Sequence, residues 1–364
     1  MARWKRFRSW RRPARGAPRR AAARAIDAAE LEAIAAGLDA PEEATRQRAM
    51  QVLVAAVRSD PGCAERVRSF LADFIHRRIR ETGAAPTPPE VVARAARTSH
   101  RDEDLRAALQ ALANLPAPAG DDRAPQPGPC QLRLADADLR ELALQGLDLR
   151  AVDLRRADLS AANLAGARLR NTNLQEARLH GADLRRAELA DAVLAGADLG
   201  ETRLRGADLH ASSLDGADLS QAGLEDTDLG EAQLVGADLR HARLRGADLR
   251  RADLRRADLR HAGLQAADLS DADLRGTDLE HAELWGTNLA GANLEGADLR
   301  HAELYRVRSW ESIRSLRAAR IGEVVDAPDG FIDWATRAMQ ADPTTQADPS
   351  TATVEEPMHL EPGA

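Results

Sequence analysis

Four histidines, His241, His261, His281 and His301, recur at every twentieth position within LRHA or LEHA units. If that interval returns the chain to one outer face, their imidazoles stack there. Adjacent imidazoles can share a metal ion, and protonation near pH ~6.5 would set them repelling one another. No carboxylate or cysteine stands at a firm ligand spacing to complete a site. The column therefore reads first as a duplicated unit and second as a set of candidate metal ligands, with no cofactor expected. Two further columns are acidic: Asp198, Asp218, Asp238, Asp258, Asp278 and Asp298 share the interval, as do Asp208, Asp228, Asp248 and Asp268. Stacked like charges repel, so each column is either a docking stripe or a row of carboxylates bonded locally to turn backbone. Arginine is concentrated as well, with Arg240, Arg243, Arg245, Arg250, Arg251, Arg255, Arg256 and Arg260 in little more than one such interval. A belt of this kind can hold a phosphate backbone or an acidic partner. The interleaved Asp makes surface ion pairs the plainer reading, and the lack of aromatic stacking groups beside it argues against single-strand binding.

Nothing else in the chain offers reaction chemistry. There is no nucleophile elbow, phosphate-cradling loop, HExxH or dinucleotide fingerprint. Cys63 and Cys130 are the only cysteines and form no CxxC pair, so two ordinary thiols in a reducing compartment are expected. The sequence does not read as an enzyme.

The elements that position these columns follow from a repeat. Leu occupies every fifth position from Leu134 to Leu304, 35 times without exception. From Ala157 onward the residue two before each Leu is Ala, Thr or Ser, and Gly recurs two after it, as at Gly196, Gly216 and Gly236. A period of five fits neither the helical 3.6 nor the strand period of two. A short extended step closed by a tight turn every fifth residue does place each Leu inward, and the recurrent Gly suits the positive φ of a type II turn. Four such sides make a square coil of four pentads, and coils stack at about the 4.8 Å strand spacing into a rod on the order of 40 Å long. Each buried Leu contributes roughly 1.5–3 kcal/mol. That ladder replaces the aromatic bulk this chain lacks, since rings make up only 3% of it.

The units Ala207-Asp208-Leu209 and Ala237-Asp238-Leu239-Arg240 resemble the A(D/N)LXX signature of pentapeptide repeat proteins, over about half the chain. The resemblance implies that family's fold, a mostly β, right-handed, four-sided β-helix spanning residues 131–306. Leu142, Leu147 and Val152 depart from the small residue of the signature, suggesting a looser first coil that meets a neighbouring domain. The WESI, APDGF and WA elements between Trp310 and Ala335 resemble the C-terminal end of some members, which implies a short helical cap over 307–340. Some members bind DNA gyrase through an acidic surface shaped like duplex DNA, and the Asp columns resemble such a stripe.

Flanking composition divides the rest. Residues 26–115 read as a small α-helical domain, HEAT-like or a bundle, with helices over 27–38, 42–58, 64–81, 88–97 and 102–115. The module resembles the helical segment that precedes the repeats in actinobacterial members. Residues 116–130 form a Pro-rich linker, and 341–364 a disordered tail. Residues 1–25 hold ten basic side chains and no acid, with Trp4, Phe7 and Trp10 three apart. This reads as a disordered basic tail offering weak contact with an anionic membrane or with nucleic acid. The repeat region is mildly acidic by contrast, with 22 Arg against 32 Asp and Glu. No apolar run of about 18 residues spans a membrane and no apolar h-region follows the N-terminal charges, so a cytoplasmic protein is expected, peripheral to the inner membrane face if the tail engages lipid.

The function expected is that of a non-enzymatic interaction or scaffold protein, docking a protein partner through the six-membered Asp column and Arg240, Arg250, Arg255 and Arg260. A gyrase-binding DNA mimic is the second reading and a membrane-peripheral scaffold the third. Neither the partner's identity nor an oligomeric state is specified by the sequence. An isolated 131–304 fragment is expected to give circular dichroism of β type; a helix-dominated spectrum would overturn the square coil.

Overall fold

The computed structural model describes residues 27–82, 103–112, 115, 134–150 and 152–340. The basic tail, the helix expected at 88–97, the Pro-rich linker and the tail from residue 341 lie outside them.

The N-terminal part is helical. Helix α1 (Ala28–Ala35) runs into a 3-10 turn, Ala36–Asp39, where the sequence suggested one continuous helix. Helices α2 (Glu43–Ser59) and α3 (Ala64–Thr82) follow, with Pro61 opening a 3-10 turn between them in which Gly62 N donates to Asp60 Oδ1. Helix α4 covers 103–112. Three- and four-residue spacing places Met50, Leu53 and Val57 of α2 and Val67, Leu71, Phe74 and Ile75 of α3 in the core, with Leu105 and Leu109 from α4. Asp104 is fully buried and accepts from Arg46 on α2 and Arg78 on α3, each at 2.6 Å. One carboxylate thereby ties three helices together.

From residue 134 the chain becomes a solenoid. The residue before each Leu makes one parallel bridge to its counterpart four pentads further on, as in Asp218↔Asp238, Gly223↔Arg243, Asp228↔Asp248 and Gln233↔Asp253. Four bridge columns within each such interval are four sides. Each side is a single bridged residue rather than an extended strand, because the corner consumes the rest of the pentad. Around Leu219 the pattern is explicit. Leu219 N donates to Asp238 O at 2.7 Å, Gln221 N to Arg240 O at 2.9 Å, and Ala222 N closes the corner on Leu219 O at 3.0 Å. Among the described residues the third corner residue has positive φ at every coil corner, +66° at Gly236 but also +59° at Gln221 and +59° at His241. A side chain in that left-handed region costs roughly 1–2 kcal/mol, so glycine is preferred at corners without being required.

Inside, the Leu rows and the small residues are sealed from water; Leu219, Leu224 and Ala222 are 0% exposed. Where Thr replaces Ala, its buried hydroxyl donates to a Leu carbonyl, as Thr227 Oγ1 does to Leu204 O at 3.1 Å. Leu142, Leu147 and Val152 of the first coil are buried as well, so the larger side chains are accommodated inward.

The ladder does not end with the leucine period. The sequence places the end of the coil at residue 306, yet bridges continue through Asn288↔Arg308, Asn293↔Ser315, Asp298↔Arg320 and Glu303↔Val325. The 3-10 turn Trp310–Ser312 accommodates two extra residues, changing the spacing from 20 to 22. Leu316 then takes the inward place. Helix α5 (Phe331–Gln340) packs on this last turn through Phe331 and Trp334, whose rings lie 5.7 and 5.3 Å from that of Trp310.

Leu219→Ala is expected to destabilise the rod by roughly 2–5 kcal/mol in chemical denaturation, because rigid coils above and below cannot collapse into the cavity. Gly236→Val should cost about 1–2 kcal/mol, chiefly from backbone strain, since a Cβ there meets nothing within 4 Å.

Candidate interaction surface

Within a pentad the residues on either side of Leu both face outward, so Asp before Leu and Arg after it stand side by side. The pair closes wherever the sequence reads Asp-Leu-Arg. Arg240 holds Asp238 at 2.5 Å, Arg250 holds Asp248 at 2.5 Å, Arg255 holds Asp253 at 2.7 Å, Arg260 holds Asp258 at 2.5 Å and Arg300 holds Asp298 at 2.8 Å. Each is a forked contact, with Nε and a terminal nitrogen reaching the same carboxylate, as for Arg240 and Asp238. All four partner-binding arginines expected from the sequence are thus engaged with the Asp two residues back.

The remaining members of the Asp columns have no Arg two residues on. Asp198, Asp208, Asp218, Asp228, Asp268 and Asp278 instead accept the backbone N–H of residues 200, 210, 220, 230, 270 and 280 at 2.9–3.1 Å. This is the local turn bonding that short acidic side chains favour. The six-membered column does run up one side through Asp198, Asp218, Asp238, Asp258, Asp278 and Asp298. Its charge is partly neutralised at Asp238, Asp258, Asp278 and Asp298. Two further arginines of the belt are similarly tied down, Arg243 to Glu225 at 2.7 Å and Arg251 to Glu231 at 3.1 Å.

The four histidines occupy the same left-handed corner of successive coils and their rings stack at 4.9, 4.9 and 4.7 Å, within 10° of parallel. The coil also brings a carboxylate to them that spacing alone did not reveal. Donor atoms of Glu280, His281 and His301 all lie within 4.8 Å of one another.

Two residues passed over in the sequence stand out on the adjoining side. Trp285 and Tyr305 are 47% and 45% exposed, with rings 6.0 Å apart edge to face. Trp285 Nε1 donates to Glu303 Oε2 at 2.8 Å, and the Arg306 guanidinium lies 5.0 Å from the Tyr305 ring centre. Their signal was available: they are the only aromatic rings between residues 134 and 305 other than histidine, both follow a Leu, and they stand four pentads apart. Lower on the same side, Gly263 leaves a shallow depression of about 390 Å³ between His241, His261, Arg243 and Glu283. Among the described residues no helix is long and apolar enough to cross a membrane.

The hydrogen bond from Arg240 holds the Asp238 carboxyl below its ordinary value of 3.8 against the opposing pull of partial burial. Arg250 and Arg300 do the same for Asp248 and Asp298. A carboxylate whose folded pKa is lowered contributes stability that is complete above its unfolded pKa and vanishes as pH falls through the folded one. Rod stability is therefore expected to drop as pH falls below 3.8, and the triple variant Asp238→Asn, Asp248→Asn, Asp298→Asn should flatten that drop in denaturation midpoints measured across the acid range.

The family model described as pentapeptide repeats matches in eight copies between residues 133 and 304. No curated protein matches the chain. Among solved structures, HetL, a pentapeptide repeat protein involved in heterocyst differentiation regulation from the cyanobacterium Nostoc sp. strain PCC 7120, is 32% identical; the match covers 50% of this chain and 86% of HetL, with a TM-score of 0.32. A pentapeptide repeat protein from the thylakoid lumen of Arabidopsis thaliana is 29% identical over 35% of this chain and 90% of its own, TM-score 0.25. QnrB1, a plasmid-mediated fluoroquinolone resistance protein, is 19% identical over 46% of this chain and 93% of its own, TM-score 0.33. Taken with the unbroken leucine period and the four-sided bridge ladder, the repeat-model match and the 32% identity across most of HetL place this chain in the pentapeptide repeat family.

Proposed function

We propose that the protein is a non-enzymatic scaffold that docks a protein partner on the outer sides of its rod, with Trp285 and Tyr305 as the anchor. The observation that carries this reading is the exposed aromatic pair on a rod otherwise dressed in small and charged side chains. Interface energy concentrates in Trp, Tyr and Arg, and Arg306 completes that set beside Tyr305. The Asp and Arg columns supply the polar rim: Asp198, Asp218 and Asp278 as acceptors, and the paired Arg240, Arg250, Arg255 and Arg260 as groups that can exchange partners. A filled interior of Leu and Ala supports a binding role over a catalytic one, since reaction sites favour enclosed pockets. The right-handed sense of the coil is inferred from the family resemblance.

A gyrase-binding DNA mimic requires a continuous acidic field. The forked Arg contacts at Asp238, Asp248, Asp258 and Asp298 weigh against that reading.

Full-length protein used as bait in lysate of its native cell is expected to capture a partner, and the Trp285→Ala, Tyr305→Ala double variant to lose at least tenfold in affinity, about 1.4 kcal/mol. Equal capture by the double variant would sink the aromatic anchor. Inhibition of purified gyrase at micromolar protein would replace the scaffold reading with the mimic.

A further inference from the structure

The outward column beside the histidine corners reads Arg240, Arg260, Glu280, Arg300. At three of four levels the imidazole is flanked by a cation that repels metal ions. At one level the charge is reversed, and between it and the next, whose Arg300 is held by Asp298, the structure brings one carboxylate and two imidazoles together. We propose that Glu280, His281 and His301 bind one divalent transition-metal ion of the zinc class at the C-terminal end of the histidine edge.

The geometry supports a single ion. Donor atoms of the three residues lie within 4.8 Å of one another, whereas donors around one zinc stand roughly 3.3–3.5 Å apart at bond lengths of about 2.0–2.2 Å. Each donor must therefore move by about an ångström. The backbone beneath them is held by the ladder, with His281 N donating to Arg300 O at 3.2 Å and Glu280 N to Asp278 Oδ1 at 3.0 Å. Movement is confined to side-chain torsions. The His281 and His301 rings are stacked 4.7 Å apart and 10° from parallel. An ion cannot lie in both ring planes at that separation, so binding tilts the rings towards each other and ends the stack. His281 is exposed and His301 only partly covered, so the tilt meets little resistance.

Neighbouring charges are compatible. Glu323 Oε2 lies 3.2 Å from His301 Nε2, the place of a carboxylate that accepts from one ring nitrogen and leaves the other as a metal donor. Arg300 reaches Glu280 only loosely, at 3.8 Å, because its guanidinium is held by Asp298 at 2.8 Å. Two imidazoles and a carboxylate suit zinc, nickel or copper; magnesium and calcium prefer oxygen throughout. Among the described residues only Glu280, His281 and His301 bring three such donors together, so the stack as a whole is not the ligand.

The test uses full-length protein stripped with EDTA, titrated with ZnCl2 by calorimetry and followed by histidine ring resonances. Zinc is expected to perturb the His281 and His301 rings. Glu280→Arg and His281→Asn should each weaken binding at least tenfold while the thermal transition stays unchanged; Asn is chosen because it tolerates the left-handed corner. His241→Asn should leave the affinity unchanged, and magnesium should not compete. The proposal is overturned by any of three results: no zinc binding, zinc shifts confined to other histidines, or equal losses from His241→Asn and His281→Asn.

Discussion

The constraint on which everything else depends is the left-handed corner that turns the chain after every Leu. Four pentads joined by such corners close a square, and each position meets its counterpart one coil away. Without it the leucines would point in all directions and the backbone amides would have no partners. The corner tolerates side chains as different as Gln221, His241 and Arg251 at positive φ. The ladder bonds on either side fix the backbone there more firmly than local preference opposes it. Strain of about 1–2 kcal/mol per corner is offset by a buried Leu of roughly 1.5–3 kcal/mol and by inter-coil hydrogen bonds.

A regular interior makes the exterior a set of straight columns, and columns of like charge are unfavourable unless answered locally. The Asp-Leu-Arg unit answers them within one pentad. Such exposed pairs contribute little stability, about 0–1 kcal/mol each. Their larger effect is on the field around the rod, which they reduce to short range. What distinguishes one place on the rod from another is then the few side chains that break the pattern, Trp285, Tyr305 and Glu280. In the helical module the electrostatics differ in kind. Asp104 is fully buried between Arg46 and Arg78, and loss of one partner there would strand charge away from water.

Much of the fold was legible because a five-residue period admits few solutions. The square coil, the inward Leu, the small residues of the inner corner and the stacking of the histidines all follow from counting. The extension to Val325 was not legible. Once the 3-10 turn Trp310–Ser312 inserts two residues, the count by five is lost while the hydrogen bonding continues. Periodicity reports register, and a ladder can survive a change of register that a pattern cannot.

The candidate sites divide along the same line. The sequence by itself determined which residues share a side of the rod, because a constant interval maps position in the chain onto position on the surface. It could not decide how neighbouring side chains use one another. Whether Asp238 is an open acceptor or the partner of Arg240, whether Glu280 reaches the histidine edge, and whether Trp285 lies folded inward or stands exposed beside Tyr305 all depend on side-chain directions at contact range. Only the tertiary structure settled those, since contacts that close are set by torsions and by the coil above and below, and no interval in the sequence records them.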